Sequence, residues 1–343
     1  MDNQDVIYDL ERFMPGFGDL FETFYGQLVS GEDFPGIAMV WEMICKAIKD
    51  NIGDFAGVFV SLLIIGILSA ILHHCGDLFR NKQIVDLAFY FTYLYAVIIL
   101  LQMFYEIVET VVTLVENIIS FTQILIPAFY TAVAMCYASV TAGAFYQLNL
   151  LLLYAVEIIF PDVIIPMTGC YVFISLISGS LQEDRFAELA NLFKKGVLLL
   201  IKICITTVTG VGVMKSLIHP IADSMKYTMF QKTVAAIPGI GDVTDSVSGM
   251  LLGSAMLIKN SIGIVTLILL ITLVCTPLCK IFLISVMIKF SGACVGMFGD
   301  KRLTKCIDHV AEGGFLLLKS GLAVVMILFI TIALVTAVAG KGM

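Results

Sequence analysis

Charge is scarce in this chain. Asp, Glu, Lys and Arg make up 14% of its 343 residues, against 59% hydrophobic residues and a mean hydropathy of +1.00. A soluble fold of this length could not hide so much apolar surface, so a water-borne enzyme or regulator is excluded. Histidine occurs four times, none central to a long apolar run, which leaves no His/Asp constellation for proteolysis or acyl transfer in a bilayer. A Walker A loop, a serine elbow, a zinc-protease helix and a dinucleotide fingerprint are all missing. The net charge of −7 comes without a basic face, which disfavours nucleic acid. Cysteine is present nine times. However, Cys136, Cys170, Cys204, Cys275 and Cys279 fall in or near apolar runs, where the thiol serves as a small apolar group. The Cys275 to Cys279 spacing lacks the two-residue gap of zinc knuckles, and no histidine lies nearby. The sequence therefore calls for neither metal nor cofactor, and for no enzyme activity.

What remains is long apolar helix. Spanning the hydrocarbon layer takes about 20 apolar residues, because the backbone must satisfy itself without water. Phe55–His74, Val85–Tyr105, Phe121–Thr141, Gly196–Met214, Ile262–Ile288 and Phe315–Ala339 meet that length. A further run from Leu148 to Gly179, interrupted at Phe160-Pro161-Asp162 and at Pro166, reads as a broken helix or a re-entrant hairpin. The expected fold is all-α, a polytopic helical membrane protein of about six to eight spans.

Lys and Arg placement sets orientation. Residues 1–54 hold 11 acids and three bases, which favours the outside. Arg80 and Lys82, then Arg185, Lys194 and Lys195 in a loop at 180–195, then Lys289, Lys301, Arg302 and Lys305 in one at 289–313, favour the cytoplasm. Lys215, Lys226 and Lys232 dissent, since they would then lie outside. The chain divides into an extracytoplasmic amphipathic segment (1–54), a first membrane unit (55–120), a second (121–214) and a third (215–343) preceded by a Pro/Gly-rich connector. In the first segment Phe13, Phe17, Leu20, Phe21, Phe24 and Leu28, then Ile37, Val40, Trp41, Ile44 and Ile48, keep helical spacing. They suit a cap on the membrane domain or a docking surface. A third amphipathic stretch, Ile107, Val111, Leu114, Val115 and Ile118, is expected to rest on the outer interface with Glu106, Glu109 and Glu116 on its polar side.

The second and third units repeat each other. Pro127, Ala144, Asn149 and Pro166 recur 111 residues later as Pro238, Ala255, Asn260 and Pro277, and Arg185 to Gly196 matches Arg302 to Gly313 in spacing. Direct, same-facing repeats with interrupted helices are common in transporters, and they also occur in static scaffolds. Polar residues inside the spans mark the candidate sites, since a charge near the bilayer centre costs at least about 2.5 kcal/mol. Glu157 is either a proton or cation site or a structural partner of Lys202 or Lys280. Asn149, Lys259 and Asn260, with the breaks at Pro166 and Pro277, either join the repeats or line a path. Gly249 and Gly253 form a small-xxx-small face for helix packing.

The segments Ala235-Ala-Ile-Pro-Gly-Ile-Gly-Asp-Val-Thr-Asp245, Gly253-Ser-Ala-Met-Leu-Ile-Lys-Asn-Ser-Ile-Gly263 and Cys275-Thr-Pro-Leu-Cys-Lys280 resemble the stage III sporulation protein AE family. The likeness runs from about Leu10 to Gly340, and its most specific part is the Pro-Gly turn leading into Ile258–Gly263. Members of that family usually open with a cleavable signal peptide, and no typical one opens this chain. The resemblance implies a multi-pass component of the channel complex that joins mother cell and forespore, seated in the mother-cell membrane with its N-terminus extracytoplasmic. Implied partners are ring-forming proteins, a secretion-type ATPase and a forespore bridge protein, with a homo-oligomer left open. No catalytic residues come with the family. A stand-alone secondary transporter and a passive membrane scaffold are the alternatives.

Overall fold

Between Lys82 and Ile126 the sequence holds neither glycine nor proline, so nothing there stops a helix once it has started. The computed structural model shows the consequence in α2 (Lys82–Cys136), a single helix of 55 residues and about 82 Å. The structure describes the backbone of residues 36–75, 82–136, 147, 151–181, 186–234, 241–297 and 301–338. Side chains are described chiefly over 59–72, 87–124, 151–179, 186–210, 269–297 and 301–331. The other long elements are α1 (Gly36–Cys75), α3 (residues 151–159), a π turn (Phe160–Ile164), α4 (Ile165–Leu181), α5 (Ala187–Val234), α6 (Gly241–Gly296) and α7 (Lys301–Val338). The protein is all-helical over the described residues. Four stretches are long and apolar enough to cross a membrane: Tyr90–Ile124, Leu151–Gly179, Leu269–Gly296 and Lys301–Thr331; Phe59–Leu72 is a shorter apolar helix.

α2 corrects one expectation. The span expected at Val85–Tyr105, the interfacial helix after it and the start of the span at Phe121 are one continuous rod. Ile107, Val111, Leu114, Val115 and Ile118 do form an apolar stripe, but it is buried within the bundle and does not lie on a lipid surface. Glu109 and Glu116 stay exposed on the opposite face.

The run from 151 to 181 is a broken helix in its mildest form, with no re-entrant turn. Pro161 has no N–H for the Glu157 carbonyl, and its ring crowds the preceding turn. The helix takes in an extra residue there, and the Ile165 N–H closes on the Phe160 carbonyl, five residues back. Pro277 lies inside α6 without ending it.

α7 sits at the centre and packs on α2, α4, α5 and α6; α1 packs on α6 and α2. Around α7, α5 packs on α4 and α6 on α2, α4 meets α2 mainly through the π turn and Tyr93, and among the described residues α5 and α6 hardly touch. Lipid tails are as apolar as leucine, so close approach rather than the hydrophobic effect holds such helices together. Gly313 and Gly314 provide it. A Cβ at Gly313 would overlap Val172 of α4, and one at Gly314 would overlap the Ser285 hydroxyl of α6. The buried hydroxyls of Thr168, Ser175, Ser285 and Ser320 each donate to the carbonyl four residues back, at 2.8–2.9 Å, so none is stranded in the apolar interior. The Tyr93 hydroxyl ties α2 to α4 by donating to the Leu176 carbonyl at 2.9 Å.

Candidate functional site in the membrane helices

The turns joining paired helices are shorter than the basic loops expected from sequence. α5 begins at Ala187, so Lys194 and Lys195 lie two turns inside it; α7 begins at Lys301, so Lys305, His309 and Glu312 are helical too. The cause is one-sided polarity. Leu303, Cys306, Ile307, Val310 and Ala311 recur at helical spacing and are fully buried, while Lys301, Arg302 and Lys305 face outward. Charges confined to one face leave the opposite face free to pack. The interior of a span therefore gains a histidine and a glutamate that the apolar run starting at Phe315 did not include.

Those two residues meet others. The Tyr171 hydroxyl, on α4, donates to Glu312 Oε2 at 2.6 Å, and Lys194 Nζ, on α5, donates to the same oxygen at 2.8 Å. His309 Nδ1 lies 3.3 Å from the Tyr171 oxygen, with the two rings edge to face at 6.2 Å. Because the phenol proton is committed to Glu312, the tautomer that completes the chain has its proton on Nδ1 and donates to Tyr171. One carboxylate oxygen thus binds three helices. By helix rise, Tyr171 lies about 15 Å from the end of α4, Lys194 about 10 Å from the start of α5 and Glu312 about 16 Å from the start of α7, so the network joins the helices two to three turns in from their ends. The Lys194 and Glu312 side chains keep 33% and 41% of their surface exposed. Replacing Tyr171 with phenylalanine keeps the ring packing and removes the donor. The expected loss is about 1 kcal/mol, readable as a lower melting temperature of the purified protein in detergent.

Two further ion pairs join helices. Lys280 of α6 meets Glu106 of α2 at 2.8 Å, and Lys289 of α6 meets Asp308 of α7 at 2.8 Å. Lys280 was expected as a partner of Glu157, but it is taken by Glu106. Among the described residues neither Lys280 nor Lys202 pairs with Glu157, and Glu157 and Lys202 are both exposed. Pro166 is exposed on the first turn of α4. The side chains of Lys259 and Asn260, all of Asn149, and the surroundings of Gly249 and Gly253 lie outside the described residues, so the repeat offset is not tested at those positions. No disulfide or metal-holding cluster occurs among the described residues.

The network itself names no reaction; kinship supplies the context. A family model for stage III sporulation protein AE matches residues 20–339, nearly the whole chain and all of the network. The chain belongs to the stage III sporulation protein AE family. The stage III sporulation protein AE of Bacillus subtilis (strain 168) is 21% identical over 282 residues, 82% of this chain and 70% of that one. No solved structure matches the chain. As a member of the family it is a helical membrane protein with a sporulation-related role. Sequence reasoning missed His309 and Glu312 as parts of a span by starting it at Phe315. The signal lay in the helical spacing of Leu303, Cys306, Ile307, Val310 and Ala311.

Proposed function

We propose that this protein is a non-enzymatic, multi-pass component of a sporulation-specific, secretion-like channel complex between mother cell and forespore. It would sit in the mother-cell membrane around the forespore with its N-terminus extracytoplasmic. The observation that carries this reading is the match of the sporulation family over residues 20–339. Ring-forming proteins, a secretion-type ATPase and a forespore bridge protein are its partners in this reading, and the ATPase supplies the energy. An affinity-tagged copy isolated from sporulating cells after engulfment should bring down ring proteins and the ATPase. Recovery of the chain alone would count against the complex.

A stand-alone secondary transporter is the second reading, and the ionisable network of Tyr171, Lys194, His309 and Glu312 between α4, α5 and α7 favours it. Ion or solute flux across liposomes holding only the purified chain would replace the complex with the carrier.

A further inference from the structure

α7 leaves one side uncovered, in the gap between α5 and α6. Its residues Lys301, Lys305, Asp308, Glu312, Phe315, Lys319, Leu322 and Met326 alternate by three and four and are exposed or half-buried, so they form one stripe along the helix. Asp308 is bridged to α6 and Glu312 to α5. Lys319 has no ion partner among the described residues, and neither has the exposed Lys202 on α5. By helix rise these two residues stand at about one level. Lys202 is about 12 Å beyond Lys194, and Lys319 about 10 Å beyond Glu312, measured from the bridge that pins α5 to α7.

The opposite side of the bundle carries the complementary sign. On α2 the exposed positions Gln102, Tyr105, Glu109, Thr113, Glu116 and Gln123 form a second stripe, and Glu109 and Glu116 also lack an ion partner among the described residues. α2 and α7 run in the same direction, and their register is fixed by Ile107 beside Gly314 and Leu114 beside Gly321, each 3.1–3.2 Å from where a Cβ would stand. In that register Lys319 is level with residue 112. It falls between Glu109 and Glu116, about 4.5 Å of helix rise from the first and about 6 Å from the second.

Equal depth matters in a membrane. Rotation about an axis along the membrane normal keeps every residue at its own depth, so two faces of one chain can meet in a ring only if their complementary groups share a level. The level here is about 27 Å from the start of α7, near the far edge of a hydrocarbon layer of about 30 Å, where unpaired charge is still disfavoured against lipid. We propose that the acidic stripe of α2 docks on the open α5/α7 side of a second copy of this chain. Glu109 and Glu116 then bracket Lys319, and Lys202 lies beside them. The contact is head-to-tail, and repeated it closes a ring.

The test uses the purified full-length chain alone, so it is independent of whether the sporulation complex is the right assembly. In nanodiscs or mild detergent the wild-type chain should be oligomeric by native mass spectrometry. Lys202→Glu with Lys319→Glu makes both faces acidic, and Glu109→Lys with Glu116→Lys makes both basic. Each variant should lose the oligomer while keeping wild-type helicity. Mixed in equal amounts, the two should reassemble with alternating copies, an outcome that a merely destabilised fold would not give. A monomeric wild-type chain, unaltered oligomers in both variants, or a mixture that stays monomeric would overturn the proposal. As a second readout, differently tagged copies carrying Glu109→Cys and Lys319→Cys are joined in native membranes with a short bismaleimide, against tagged parent copies that keep only the nine native cysteines and should give no two-tag product. A product holding both tags supports the ring. A product joining Lys319→Cys to some other protein, with no two-tag product, overturns it.

Discussion

Replacing Gly313 with alanine is expected to leave little folded protein. The added methyl would overlap Val172 Cγ2 and lie 3.1 Å from Phe104 Cε2, so neither α4 nor α2 offers room. Overpacking a close-packed site costs about 1–3 kcal/mol and occasionally more. Here the neighbours are a β-branched valine methyl and the edge of an aromatic ring, both stiff side chains and not a flexible chain end. Moving α7 away from α4 would also stretch the Tyr171–Glu312 hydrogen bond, since Glu312 is the adjacent residue. The measurement is the yield of monodisperse protein after detergent extraction, together with its melting temperature. Gly169 has nothing within 4 Å of its Cβ position, so Gly169→Ala should be close to neutral and serves as the control. Val172→Ala removes the colliding methyl and should restore much of the yield in the double variant. Wild-type stability of Gly313→Ala alone would show that α7 does not approach α4 this closely.

The same glycine shows what the sequence could tell. Gly196 and Gly313 stand out in the sequence by their equal spacing from Arg185 and Arg302 and by the apolar run that each begins. Both are interior to helices. A Cβ at Gly196 would come within 2.8 Å of Met167 Cε, the free end of an adaptable side chain that can swing aside, so only Gly313 marks a close approach of the two. Composition and run length were enough for an all-helical membrane fold, because the cost of bare backbone in hydrocarbon admits few alternatives. Boundaries were harder. Hydropathy averages over all faces of a helix, so the charged face of residues 301–312 hid a buried face as apolar as any in the chain. The reverse happened on α2, where Glu106, Glu109 and Glu116 suggested an exit from the bilayer while the stripe behind them stayed packed. The network around Glu312 was illegible because its members come from residues 171, 194, 309 and 312, and only tertiary packing brings three helices to one oxygen atom.

Removing the Glu312 carboxylate is the most direct probe of that oxygen. In Glu312→Ala the Lys194 ammonium and the Tyr171 hydroxyl both lose their acceptor. Breaking a fully buried pair costs about 3–5 kcal/mol. With a third or more of each side chain exposed, about 2 kcal/mol is expected, seen as a clear fall in melting temperature. Glu312→Gln keeps an amide oxygen for both donors and should lose roughly half as much. Lys194→Met combined with Glu312→Leu removes both charges and should lie closer to wild type than Glu312→Ala does, because apolar replacement of an ion pair is often neutral. This cycle separates packing from chemistry. If Glu312→Gln keeps near-wild-type stability and abundance but sporulation fails, the ionisable carboxylate is needed for the working state. If sporulation tracks stability across all three variants, the carboxylate acts as the clasp that fixes α4 and α5 to α7.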